Sequence, residues 1–248
     1  MQTNLNELLK ALRLTLSSAE LKISSLDDVS NIHLPLINSN FPTGPLPQEV
    51  MHKVIAKPAY WAFCRGSGLA LAAWLTENPN VVKNKRVADI GAGSGVVTIA
   101  AKQAGAAWGW GCDNDKQALL ATKTDAELNQ VDIELCAGIK DLTQDLDLLL
   151  MTDVLHDRSN FALVEKITTP NGTLLSADSR IAAIDDPDFT LFQQAEALTL
   201  PNLGEFDEFK TVRFLSPANL KRYWRASTKL FSDPTPTSAD MAQRGRTR

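Results

Sequence analysis

Cysteine and histidine are both scarce in this chain of 248 residues, three of each, and the scarcity excludes two kinds of protein. Cys64, Cys112 and Cys136 are odd in number, form no Cys-x-x-Cys pair and lie within or beside apolar stretches. A disulfide framework is therefore not encoded, and buried free thiols in a reducing compartment are expected. His33, His52 and His156 have no metal-ligand spacing, so no metal is expected. Long apolar runs are missing as well, with nothing approaching the ~20 residues that span a membrane. The first residues lack the apolar core of a signal peptide, and Glu7 and Glu20 argue against a basic transit peptide, which makes the cytoplasm the default location. Neither sign of charge dominates. With 25 basic and 29 acidic side chains the formal charge is −4, which gives no general electrostatic case for a nucleic-acid partner.

Hydrophobic material, in contrast, is ample at 44%, and the length suits one α/β domain with additions. Residues 3–21 place Leu5, Leu8, Leu9, Leu12 and Leu16 on one helical face. This predicts an amphipathic helix that packs on the domain or covers a ligand, with a partner-binding or membrane-surface helix as the rival. Residues 24–50 carry prolines at 35, 42, 45 and 47 and read as an irregular strap. Helix and strap form an extension over 1–50, the main domain is expected over 51–231, and 232–248 reads as a disordered tail.

The most informative stretch is Val87 to Ala101. An apolar run ends in Asp89-Ile90-Gly91-Ala92-Gly93-Ser94-Gly95 and continues as Val96-Val97-Thr98-Ile99-Ala100-Ala101, the pattern of a strand, a tight turn and a helix. Glycines at such a turn allow positive φ and close approach of backbone to ligand, and the helix start offers unpaired N–H groups. The spacing Gly-x-Gly-x-Gly differs from the Gly-x-Gly-x-x-Gly of nicotinamide and flavin enzymes, which disfavours a dehydrogenase. A second strand, Ala106 to Cys112, ends in Asp113-Asn114-Asp115, about twenty residues on, where a carboxylate can hold ribose hydroxyls. Asp113 is either that carboxylate or the cap of the helix over Lys116–Leu128, and Asp115 is the better cap. Asp147-Leu148-Leu149-Leu150-Met151-Thr152 has the look of a central parallel strand, and it delivers Asp153 to the carboxyl edge of the sheet.

Asp89-Ile-Gly-Ala-Gly-Ser-Gly95 followed by Cys112-Asp-Asn-Asp115 resembles motifs one and two of the seven-β-strand methyltransferases that use S-adenosylmethionine. Pro58-Ala59-Tyr60-Trp61-Ala62-Phe63, Leu75-Thr76-Glu77-Asn78-Pro79 and Asp153-Val154-Leu155-His156-Asp157 are similar to the lysine-methyltransferase-like branch, and within it to the electron-transfer-flavoprotein β-subunit lysine methyltransferases. The resemblance runs from about Pro45 to Leu215. It implies a doubly wound, Rossmann-like α/β sheet of seven strands in the order 3-2-1-4-5-7-6, with one strand antiparallel, and the cofactor S-adenosylmethionine. It places Asp89, Gly91, Gly93 and Ser94 at the methionine end, Asp113 and Asn114 at the ribose, Ile139 and Asp141 at the adenine, and Trp61 at the lip of the site. Asp153 is implied where the acceptor amine meets the methyl group, with His156 in an aromatic position of the motif. His156 is either a proton relay or a half-buried residue at a helix start.

The expected activity is N-methylation, of a protein lysine first. A small-molecule or nucleic-acid methyltransferase of the same fold and a non-catalytic cofactor-binding scaffold are the alternatives, because the chain departs from the family's pattern on the acceptor side. Arg65 and Leu69 stand where relatives carry Trp and Gln, and the Gly-Asp-Pro-x-Arg-like turn that follows the fifth strand, Thr173 to Ala177, survives only as Asp178-Ser179-Arg180. Arg180 reads as a ligand for a substrate carboxylate or as a partner of Asp185. The closing antiparallel pair is expected at Glu196–Leu200 and Phe209–Leu215, with a short helix starting at Ser216-Pro217.

Overall fold

The computed structural model describes residues 1–217, apart from 27, 28, 30, 143–145, 156–159, 161–172 and 182–188, and the side chain of Ile139. Helix α1 (Gln2–Arg13) forms from the leucine periodicity, and Leu8 and Leu12 are its buried contacts. The expected strap holds instead an antiparallel pair, β1 (Leu21–Ser25) and β2 (His33–Ile37), registered with Ile23 opposite Pro35. A proline survives here because the pair is a two-stranded sheet and a strand edge can spare an N–H. Helix α2 (Gln48–Ala56) follows and buries none of its residues. After a 3-10 turn at Tyr60–Ala62, helix α3 (Gly66–Glu77) is buried almost all round, with Leu69, Leu71, Trp74 and Leu75 in the core.

The main sheet then builds by alternation. Strand β3 (Arg86–Ile90) leads through the glycine turn to α4 (Val96–Gln103), and β4 (Trp108–Cys112) leads to α5 (Lys116–Leu128). Asp115 caps α5, accepting from the Gln117 N–H at 3.0 Å. Strands β5 (Glu134–Cys136), β6 (Leu148–Thr152), β7 (Thr173–Asp178), β8 (Phe189–Glu196) and β9 (Thr211–Pro217) complete it. The spatial order is β5-β4-β3-β6-β7-β9-β8, which, counting the sheet's own strands from one to seven, is the expected 3-2-1-4-5-7-6. All neighbours are parallel except β9, which is antiparallel to both β7 and β8. The apolar run of β6, Leu148 to Met151, sits at the centre of the sheet and is buried on both faces.

Two sequence expectations are corrected at the end of the chain. The first strand of the closing pair is Phe189–Glu196, and of the predicted Glu196–Leu200 only Glu196 belongs to it. Leu200 makes an isolated bridge to Cys64, with hydrogen bonds of 2.7 and 2.8 Å, that pins this segment beside the entry to α3. Ser216 and Pro217 are the last residues of β9 and do not start a helix. The remainder of that predicted helix and the 232–248 tail lie outside the described residues.

Helix α1 rests on α5. Leu8 and Leu12 share a cluster with Ala118 and Ala121 of α5, Ile37 of β2 and Trp61 of the 3-10 turn. The extension is thus packed as an amphipathic face on the domain. Among the described residues no helix is long and apolar enough to cross a membrane.

Candidate functional site

The three glycines of the β3–α4 turn all have positive φ, +76° at Gly91, +56° at Gly93 and +74° at Gly95, but they serve different neighbours. A Cβ on Gly95 would lie 2.8 Å from Thr122 Cγ2, so this glycine lets α5 close onto the turn. A Cβ on Gly93 would meet nothing nearer than the Gly91 carbonyl oxygen at 3.9 Å, because Gly93 opens onto a pocket. The Gly91 and Ala92 N–H groups both donate to the Cys112 carbonyl, fixing the turn to the end of β4.

Asp113, one residue beyond β4, links the turn to α5. Its Oδ2 accepts from the Gly93 N–H at 3.1 Å and its Oδ1 from the Asp115 N–H at 2.9 Å. Burial raises its pKa against the pull of those two N–H groups. Two adjoining depressions of about 220 and 280 Å³ meet along Gly91, Asp113 and Val154. Ser94 lines the first, with Gly68, Val96 and Asp153, and Asn114 lines the second, with Ala137 and Gly138.

Other predicted residues fall elsewhere. Asp89 is buried beneath the turn, 1% exposed, accepting from the Thr98 hydroxyl at 2.9 Å while its Oδ1 has no partner among the described residues. Burial pushes its carboxyl up to about 7, against the Thr98 hydrogen bond. Trp61 is not at the lip. It is buried in the cluster with Leu8 and Leu12, and the neighbouring Tyr60 and Phe63 line the pocket in its place. Asp141 ends an exposed 3-10 turn and does not line either depression. Ile139's side chain and the whole of His156 lie outside the described residues.

On the opposite wall Asp153 follows β6 with φ +52°, anchored by its N–H to the Ala177 carbonyl. Its carboxylate accepts from Arg65 Nε at 2.7 Å, from Ser67 Oγ at 2.7 Å, and from both the N–H and the Oγ of Ser179 at 3.2 Å. Burial pushes this carboxyl up, but Arg65 and the hydroxyl and N–H donors outweigh it and hold the pKa below the usual carboxylate range. Arg65 also lies 5.5 Å from the Tyr60 ring centre, and Arg180 lies 5.7 Å from that of Phe209. Sequence reasoning missed Tyr60, Ser67, Ser179 and Thr122, and it missed the pairing of Arg65 with Asp153.

Gly66 and Gly68, at the start of α3, serve different neighbours. A Cβ on Gly66 would lie 2.6 Å from the Ala197 carbonyl oxygen, so its smallness serves the chain's own packing, whereas Gly68 lines the pocket.

An adenosylated methionine fits this donor set. The open face at Gly93 and the helix start at Val96 offer partners for a carboxylate, and the carboxylate of Asp113 one for a diol. Comparison with known proteins points the same way. Residues 70–157 match the family model of the ribosomal protein L11 methyltransferases. The chain is 39% identical over 101 residues to the electron transfer flavoprotein beta subunit lysine methyltransferase of Homo sapiens, covering 40% of this chain and 38% of that one. It is 48% identical over 54 residues to the ribosomal protein L11 methyltransferase of Xanthomonas euvesicatoria, covering 22% and 18%. A ribosomal protein L11 methylase from Lactobacillus delbrueckii superposes with a TM-score of 0.45 at 21% identity, covering 59% of this chain and 75% of that one. The chain spans about two fifths of the length of the human and Danio rerio relatives it matches. The similarity therefore centres on the segment that carries the glycine turn, Asp113 and Asp153, and over that segment the relatives are methyltransferases.

Proposed function

We propose that this chain is an S-adenosylmethionine-dependent N-methyltransferase whose acceptor is a protein amine, a lysine side chain first. The observation that carries the reading is the open Gly93 face with Asp113 beside it, across one pocket from Asp153. When bound, the cofactor supplies an electrophilic methyl group on a sulfonium. Gly91, Gly93 and Ser94 offer backbone to its methionine end, Asp113 and Asn114 take the ribose, and Asp89, buried beneath the turn, stays assigned to the methionine end on the family resemblance alone. Asp141 and Ile139 stay assigned to the adenine on the family resemblance alone.

The protein's contribution to such a displacement is alignment, which can supply ~7–11 kcal/mol without a metal. A lysine ammonium, with a reference pKa of about 10.4, has no lone pair and must lose a proton first. A bare carboxylate would hold that proton on, but Asp153 is already paired with Arg65, so its negative charge is largely spent before an amine arrives. Asp153 and His156 are the proposed catalytic pair, the first orienting the amine through its ordered oxygens and the second passing the proton to water. The methyltransferase domain is taken as 51–231. A cytoplasmic location accords with three buried free thiols, which a reducing compartment preserves.

Calorimetric titration with S-adenosylhomocysteine tests the cofactor. Micromolar or tighter binding, weakened at least about tenfold in Asp113→Ala, is expected, and no binding by well-folded protein would sink the proposal. Turnover of labelled cofactor on cell lysate, with label arriving on protein and lost in Asp153→Ala, tests the chemistry.

A further inference from the structure

Asp153 is heavily engaged before any acceptor arrives: its Oδ1 accepts from Ser67 Oγ and from both donors of Ser179, and its Oδ2 from Arg65 Nε, which leaves one acceptor site, on Oδ2, for an amine. The other unused hydrogen-bonding capacity of the two arginines on this wall lies in donors. Arg65 spends only Nε on Asp153, and its terminal nitrogens have no acceptor among the described residues. Arg180 lines the same pocket and is exposed; its backbone N–H donates to Asp178 and its guanidinium lies over the Phe209 ring, with no carboxylate paired to the guanidinium among the described residues. The adjoining hollow shares Tyr60, Phe63 and Arg65 with the pocket, and its single carboxylate, Glu205, is turned to the Thr199 N–H at 2.9 Å.

We infer that Arg65 and Arg180 form an anion clamp, so that the acceptor presents a carboxylate beside the nitrogen that is methylated. This rests on the function proposed above and narrows it to a lysine in an acidic protein segment. A planar guanidinium fork suits a carboxylate, and Arg65 is pre-oriented for it by Asp153 on one side and the Tyr60 ring on the other. An acceptor flanked by basic residues would meet like charge at both arginines.

The test measures binding to the full chain saturated with S-adenosylhomocysteine. Three probes are titrated: an N-acetylated, C-amidated Glu-Lys-Glu peptide, its Gln-Lys-Gln counterpart, and Nα-acetyl-lysine with a free carboxylate. The clamp requires the acidic peptide to bind about tenfold or more tighter than the neutral one, with a preference that fades at high salt and falls severalfold in Arg180→Gln. Tight binding of Nα-acetyl-lysine instead would keep the clamp and transfer it to a free amino-acid carboxylate. Equal binding of acidic and neutral peptides, an unchanged preference in Arg180→Gln, or no binding of any probe would overturn it. Calorimetry with S-adenosylhomocysteine on the same preparations separates the two readings, since Arg180→Gln leaves the cofactor side intact and loss of cofactor binding in the parent chain defeats the enzyme reading itself.

Discussion

Replacing Gly95 and Gly93 by alanine, one at a time, should separate folding from binding. Both residues have positive φ, and a Cβ there costs about 1–2 kcal/mol of backbone strain. At Gly95 the new methyl would also lie 2.8 Å from Thr122 Cγ2 and 3.1 Å from Thr122 Cα. Thr122 is fully buried and holds the Gly93 carbonyl through its hydroxyl at 3.1 Å, so it cannot retreat freely. Overpacking of this kind adds about 1–3 kcal/mol, which brings Gly95→Ala to about 2–5 kcal/mol. Gly93→Ala has no such neighbour and should lose only the strain, while its methyl projects into the pocket and abolishes S-adenosylhomocysteine binding. Urea unfolding and calorimetry on both variants read the two quantities. Thr122→Ser should recover part of the Gly95→Ala loss, because it deletes Cγ2 and keeps the hydroxyl. Equal destabilisation by the two alanines, or normal ligand binding by Gly93→Ala, would refute the reasoning.

Asp89 and helix α1 supply two more predictions. The Asp89 carboxyl is raised by burial to about 7, above its unfolded value of about 3.9, so the folded state binds the extra proton in between. Its contribution to stability is therefore fully present at low pH and is lost as pH rises through about 4 to 7, on the order of 4 kcal/mol in all. Asp89→Asn should flatten that part of the stability–pH curve, and a difference curve without slope across the window would contradict the assignment. Leu12, fully buried between α1 and α5, should cost about 2–5 kcal/mol when cut to alanine, read as a lowered urea midpoint. A loss under about 0.5 kcal/mol would mean that α1 is only loosely docked.

The strands and the glycine turn were legible because their signals are local, apolar runs of strand length and glycines where β3 turns into α4, whereas the strand order came from the family resemblance. Asp115 as a cap was legible for the same reason. What escaped depends on contacts distant in sequence. Arg65 and Asp153 lie 88 positions apart, and nothing near either residue announces the pair. Trp61 and Tyr60 are adjacent aromatics, and only the direction of a three-residue turn decides which one is buried. Strand β8 was displaced in the reading because its pairing with β9 shifts between Leu191 and Gln193, which interrupts the alternation that marks a strand. The β1–β2 pair was hidden by Pro35, a residue that excludes central strands but not edges.

The burial of Trp61 ties the amino-terminal extension to the wall that carries Arg65 and Asp153. Its indole sits among Leu8, Leu12 and Ile37, while the next residue back, Tyr60, faces Arg65. Helix α1 and strand β2 thus act as a foundation for the turn that presents Tyr60 to the pocket. Acceptor preference can drift through substitutions in the extension that shift this turn by a fraction of an ångström, with every pocket residue left unchanged. A search for the determinants of specificity confined to the pocket lining would overlook them.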